Sequence, residues 1–152
     1  MVIGGIVVLL DQFTKWLILR YLPFNKTLPV IKGLFNITHV LNPGGAFGLM
    51  ANLSPILRSI VFLLISSLAV GIILYFYQKT PGRYSLLAVA FALIFGGAIG
   101  NLIDRVRFGM VIDFLDFYVG KLHWPAFNVA DSAITIGIGI FIFHLIFKKM
   151  PE

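Results

Sequence analysis

The sequence predicts an α-helical membrane protein with four transmembrane helices, and three observations carry that reading. Hydrophobic residues make up 59% of the chain against 12% charged, and mean hydropathy is +0.98. The apolar residues gather into four runs, each near the roughly 20 residues needed to cross a hydrocarbon core of about 30 Å. Turn-forming residues and most of the charge fall between those runs. One membrane domain over residues 1–152 is expected, because the chain is too short for two sizeable cores.

The first span, residues 1–22, is the weakest, since it carries Asp11, Lys15 and Arg20. No basic segment precedes it and no small-residue cleavage site follows, so it is expected to be retained rather than removed as a signal peptide. Pro29–Leu41 (PVIKGLFNITHVL) places a Lys-Gly turn between β-branched and aromatic residues, which predicts a small hairpin. Gly44, Gly45 and Gly48 follow it. Ser54-Pro55 reads as an N-cap with proline at the first helical position, opening the second span at 56–77. That span has one charge, Arg58, close enough to its start to snorkel outward. After the loop 78–83 comes an uncharged span at 84–103. Val111–Val119, bounded by Gly109 and Gly120, reads as a strand or an interfacial turn, with Tyr118 and Trp124 suited to headgroup level. The last span, 128–147, is uncharged from Ala133 onward.

An even number of spans puts both termini on one side. Lys79, Arg83, Lys148 and Lys149 lie on that side. Arg20, Lys26, Lys32, Arg58, Arg105, Arg107 and Lys121 lie on the other, so seven basic residues against four leave the orientation open. The net charge of +6 is accounted for by span ends facing anionic lipid headgroups, and nucleic acid is not an expected partner. Cysteine is absent, which removes disulfides, thiolate metal sites and thiol nucleophiles. The three histidines are scattered without metal-ligand spacing and read as structural, and neither a metal nor a cofactor is expected.

Chemistry concentrates in the aspartates, which are costly near a bilayer and mark candidate sites there. VIDF (Val111–Phe114) and FNVAD (Phe127–Asp131) set Asp113 in a loop and Asp131 at a helix start, with a fold-back between them that allows the carboxylates to face one another. Two carboxyls sharing a site do not both ionise readily, so one keeps a proton while its partner serves as base. Such a pair can activate water and protonate a leaving amine without a metal. Asp131 also has near capping-box spacing with Asn128, and the two roles can coexist. Asp113 and Asp116 have the plainer reading of solvated loop acids. GGAIGNLIDR (Gly96–Arg105) puts Gly96 and Gly100 on one helical face, where they allow close helix approach. Asn101, Asp104 and Arg105 continue that face, either as an ordinary polar helix end or as a holder for a polar or anionic group. Asp104 would lock Arg105 or a neighbouring loop. In DQFTK, Asp11 and Lys15 stand at i,i+4 in the favourable order, either as a self-neutralising pair or in contact with a substrate. NPGGAF (Asn42–Phe47) offers a turn whose amides can grip a peptide or headgroup.

These five segments, in this order and across the whole chain, resemble the lipoprotein signal peptidases (signal peptidase II), the bacterial intramembrane aspartyl peptidases. Gly45 departs from that pattern, standing where alanine is usual. The resemblance implies that Asp113 and Asp131 form the catalytic dyad and that Asp11, Lys15, Asn42, Asn101, Arg105 and Asn128 line the substrate pocket. It also implies an extracytoplasmic β-cradle from the first long loop, with both termini in the cytoplasm. Expected partners are membrane lipids and lipid-modified prolipoproteins, the latter cleaved by a monomer in the bacterial inner membrane with its site near the extracytoplasmic face. The rival readings are a proton-coupled transporter using intramembrane aspartates and a non-catalytic membrane scaffold.

Overall fold

In the computed structural model, which describes residues 1–44 and 54–147, four helices stand beside a small antiparallel sheet at one end of the bundle. In chain order these are α1 (Val2–Tyr21), β1 (Thr27–Ile31), β2 (Phe35–Asn42), α2 (Pro55–Lys79), α3 (Ser85–Phe108), β3 (Val111–Val119), β4 (Leu122–His123) and α4 (Val129–Phe147). All four helices are long and apolar enough to span a membrane, in agreement with the four expected spans. Gly45–Phe47 of NPGGAF, Gly48, Lys148 and Lys149 lie outside the described residues.

Two boundaries show how local chemistry sets the elements. Ser54 caps α2 through its hydroxyl, which accepts from the Leu57 amide, and Pro55 occupies the first helical position where no amide partner is needed. Helix α3 runs five residues beyond the expected span. Its last turns are amphipathic rather than apolar: Asp104 turns inward, while Arg105 and Arg107 meet the negative end of the helix. Gly109 stops it with φ of 70°, a left-handed conformation that an L side chain adopts only under strain.

Helix α3 is the hub, packing against α1, α2 and α4. Its glycines make this possible. A Cβ at Gly96 would sit 2.6 Å from the Gly4 carbonyl oxygen of α1, and one at Gly97 would run into the Ala130 carbonyl oxygen of α4. The face expected from Gly96 and Gly100 therefore receives α1, and the adjacent Gly97 receives α4. By contrast α2 has no buried residue; it leans on α3 through contacts such as the Phe76–Phe91 stack at 6.0 Å.

The expected hairpin is β1–β2, turning at Lys32-Gly33-Leu34, and the 111–119 segment is a strand rather than an interfacial turn. The sheet order is β1-β2-β3-β4. A bulge between Ile37 and Val40 interrupts the β2–β3 ladder, after which Val40 pairs with Asp113 and Asn42 with Val111. On β3, Ile112 and Phe114 pack against Ile18 of α1, docking sheet onto bundle. Asp113, between them in sequence, points to the opposite side by the two-residue period of a strand. Asp116 departs from the solvated acid expected of it: it is buried, accepts from Asn36 Nδ2 at 2.8 Å and lies 2.8 Å from His123 Nδ1.

Gly97→Ala is expected to cost about 1–3 kcal/mol of stability, the usual penalty for overpacking against an unyielding neighbour. Gly5, with open space where a Cβ would go, is the control. Thermal unfolding in detergent tests this, and equal melting of Gly97→Ala and Gly5→Ala would contradict the tight α3–α4 contact.

Candidate active site

The site begins with a lysine inside the bundle. Lys15 of α1 is 1% exposed, and its ammonium lies 2.8 Å from Asp11 Oδ2, one turn earlier, and 2.8 Å from Asp104 Oδ2 of α3. Both carboxylates are fully buried. One cation cannot balance two anions, and backbone donors supply the remainder: Asp11 Oδ1 accepts from the Ala130 amide in the first turn of α4, and Asp104 Oδ2 accepts from the Ile112 amide of β3. Gln12 Nε2 reaches Asp11, Asp104 and the Gly100 carbonyl, each within 3.2 Å. Each charged atom thus has a partner, as burial demands. Asp11 and Lys15, implied by the resemblance to line a pocket, stand behind it with no surface of their own.

The third donor position of Lys15 leads onward to Asn101 of α3, whose Oδ1 accepts from the ammonium at 3.0 Å. An ammonium only donates, so the amide oxygen must face Lys15 and the amide nitrogen must face away. That nitrogen donates to Asp131 Oδ1 at 2.7 Å. Asn128 is oriented in the same fashion. Its Oδ1 accepts from the Asp131 amide at 2.9 Å, which turns its Nδ2 onto Asp113 Oδ1 at 2.7 Å. Asp131 Oδ2 accepts from the Asn128 amide in return, completing the reciprocal cap that the spacing suggested. Asn42, at the end of β2, accepts from the Gly44 amide and donates to Asp113 Oδ2 at 2.9 Å. Asn42 pairs with Val111, so Asp113 is its same-face diagonal neighbour across the ladder.

Three asparagines from three elements therefore deliver N–H groups to two aspartates. Each of the four carboxylate oxygens of Asp113 and Asp131 accepts one such bond, from a side-chain amide or, at Asp131 Oδ2, from the backbone. Among the described residues neither aspartate is in a salt bridge. Asp113 is 2% exposed, and burial pushes its pKa up to about 7; the nearby Asp131 charge raises it as well, against the lowering effect of the Asn42 and Asn128 hydrogen bonds. Asp131 is only half-buried, at the edge of the site. Arg105 stands one turn beyond Asn101, donates to its carbonyl at 3.3 Å, and lies over the Phe62 ring of α2 at 5.8 Å.

The structure brings together all eight sequence-derived candidates, although at different depths. Two members of the network were less visible. Gln12 belongs to DQFTK, but nothing local distinguishes it from a lipid-facing polar residue. For Asp104 the sequence leaves two roles open, locking Arg105 or a neighbouring segment; it holds the start of β3, as in the second, and its charged partner is Lys15 rather than Arg105.

Replacing Lys15 by methionine would leave Asp11 and Asp104 buried against each other with no cation, at an expected cost of about 3–5 kcal/mol. Adding Asp104→Asn to that variant is expected to recover part of the loss. Chemical unfolding in detergent reads both changes, and a penalty near zero for Lys15→Met would show that the cluster does not depend on its ammonium.

Known proteins resemble this chain over nearly its whole length. The sequence profile of signal peptidase (SPase) II matches residues 3–147. The chain is 55% identical over 150 residues to the lipoprotein signal peptidase of Desulforapulum autotrophicum, covering 99% of this chain and 93% of that one. It is 50% identical to that of Geobacter sulfurreducens over 145 residues, covering 95% and 88%. Among solved structures, a bacterial membrane enzyme determined by the in meso method at 2.3 Å superposes with a TM-score of 0.84 at 35% identity, over 99% of this chain and 92% of the other. A second, determined at 1.9 Å, gives 0.85 at 33% identity over 97% and 92%. Four spanning helices, a sheet at one end and a profile match over nearly the whole length make this a multi-pass membrane protein that belongs to the signal peptidase II family.

Proposed function

We propose that the chain is an aspartyl endopeptidase that removes signal peptides from bacterial prolipoproteins, cutting just before a diacylglyceryl-modified cysteine, with Asp113 and Asp131 as its catalytic pair. The observation that carries the reading is the asymmetry of that pair. Two carboxyls joined through Asn128 and Asn101 accept hydrogen bonds from neutral amides, and burial lets the deeper one hold its proton to about pH 7. The curated relatives are named lipoprotein signal peptidases, which supports the choice of substrate.

In this mechanism Asp131, the more accessible carboxylate, takes a proton from water as the oxygen attacks the scissile carbonyl. Asp113 gives its proton to the carbonyl oxygen, so no full oxyanion forms. The tetrahedral intermediate collapses as its nitrogen receives the proton held by Asp131. The C–N bond then breaks as Asp113 takes back a proton from one hydroxyl of the intermediate, which leaves a carboxyl terminus on the signal peptide and a free amine on the cysteine. Asn42, Asn101 and Asn128 fix the rotamers of the pair, and Arg105 is placed to hold substrate polar groups. The site lies at the sheet end of the bundle, which we assign to the extracytoplasmic face of the inner membrane. There a lipid anchor can stay in the bilayer while the peptide bond meets water. A proton-coupled transporter is not supported: the chain's family is a peptidase family, and the paired acids lie at one end of the helices.

Asp113→Asn and Asp131→Asn are each expected to lower cleavage of a diacylglyceryl-modified prolipoprotein by about 10²–10⁴-fold or more with unfolding unchanged. Near-normal cleavage by either variant would falsify the dyad. In the wild type, the deprotonated form of Asp113 lacks the proton the carbonyl requires. The value of kcat/KM should therefore hold below pH 7 on this limb and fall about tenfold per unit above it. A profile flat from pH 6 to pH 9 would contradict that assignment.

A further inference from the structure

A groove of about 460 Å³ opens beside Asp131, between the N-terminal turns of α4 and the segment that follows β4. Asp131, Ser132, Thr135 and Ile136 form its helical wall, and Trp124, Pro125 and Phe127 stand opposite. Because α4 enters the span from Asn128, this wall starts at the carboxylate and descends about 8 Å into the bilayer by Ile136.

On the helical wall the hydroxyls beside Asp131 are spent on the helix itself. Ser132 Oγ donates to the Asn128 carbonyl at 2.9 Å and Thr135 Oγ1 to the Asp131 carbonyl at 2.8 Å, so both hydroxyls are turned into the helix. On the facing wall the Trp124 amide is bonded to the Phe117 carbonyl, Pro125 has no amide hydrogen, and the Phe127 amide and carbonyl are both paired with β3, which leaves the Ala126 amide without a backbone partner among the described residues. An extended peptide laid along the α4 wall would find no ladder for its own N–H and C=O groups, and leaving them unpaired in an apolar setting is costly. A hydrocarbon chain needs no such partners. Trp124 and Ile136, 68% and 57% exposed, offer it an apolar surface.

Resting on the peptidase reading above, we propose that this groove is the subsite for one acyl chain of the lipid carried by the residue on the amine side of the scissile bond. A chain whose head is held at the dyad must begin at the dyad, and this groove includes Asp131 itself. A larger, wholly apolar groove of about 640 Å³ lies between α2, α3 and α4, but its first α4 residue, Ile138, is about 10 Å further along the helix. That depth suits a segment crossing the bilayer better than a chain tethered at the scissile bond.

The test compares wild type with Thr135→Trp and Ile136→Trp, at exposed positions where the added ring fills the groove without entering the core. Two prolipoproteins with identical peptide would be used, one with diacylglyceryl chains of about eight carbons and one of about sixteen. The variants are expected to raise KM for the long-chain substrate about tenfold, the effect of excluding about two methylenes from an apolar wall, and to change the short-chain value less than about twofold. Equal effects on both substrates would overturn the subsite, as would a chain-length effect produced by Ile142→Trp in the deeper groove and not by these two. Wild type that cleaves neither substrate would overturn the peptidase reading itself, a result distinct from either.

Discussion

The ammonium of Lys15 is the point on which the structure turns. A single charged residue near a bilayer's centre costs roughly 2.5–3.5 kcal/mol on insertion scales. Three placed together are tolerable only if each is answered, and the answers come from different parts of the chain. Asp11 and Lys15 belong to α1, Asp104 to α3, the Ala130 amide to α4 and the Ile112 amide to β3. Satisfying the cluster therefore fixes the positions of four elements at once. Gly100 is part of that arrangement, because a Cβ there would stand 2.5 Å from Asp11 Oδ2. Apolar packing alone would let α1 slide or rotate on α3; the cluster selects one register.

The same ammonium reaches the dyad without touching it. Lys15 is occupied by Asp11 and Asp104; it sets which end of the Asn101 amide faces Asp131, and its charge works against the raised pKa of Asp113 from a distance. This separation has a chemical consequence. A cation placed directly against Asp113 and Asp131 would favour ionisation of both, and no proton would remain for the carbonyl or the departing amine. Neutral amides hold the carboxylates in place without setting a positive charge against either. The buried charge cluster and the proposed catalytic pair are thus adjacent but differently built, one held by ion pairing and the other by asparagine.

Much of this was legible in the sequence because the signals are local. The four spans follow from uninterrupted apolar runs, the start of α2 from Ser54-Pro55, the hairpin from Lys32-Gly33, and the α4 cap from the spacing of Asn128 and Asp131. The Asp11–Lys15 pair was readable from its i,i+4 spacing, but its two readings were not separable until burial showed both side chains sealed from solvent. What stayed hidden was long-range. Asp116 looked like a loop acid because its partner Asn36 comes from a strand far earlier in the chain. The link between Asp104 and Lys15 joins different helices, and no local pattern ties them. The extension of α3 to Phe108 has no hydropathy signal, because the helix continues as long as its polar residues find partners.

The pairing of β2 with β3 makes the sheet part of the site rather than an appendage to it. One aspartate of the pair is carried by a membrane helix and the other by a strand outside the bundle. Their relation thus depends on how sheet and helices are joined. The join is made twice, by the Ile112 amide on Asp104 and by Ile112 and Phe114 packed on Ile18. Within the sheet, Asn42 reaches Asp113 only because the bulge between Ile37 and Val40 sets the register that follows it. A shift of one residue would carry Asn42 to the opposite face of the sheet. Asp113 would then lose the donor on Oδ2 and part of what fixes its rotamer. The hairpin of β1 and β2 thus supplies position to the chemistry, and the bulge, which no sequence pattern announced, is where that position is set.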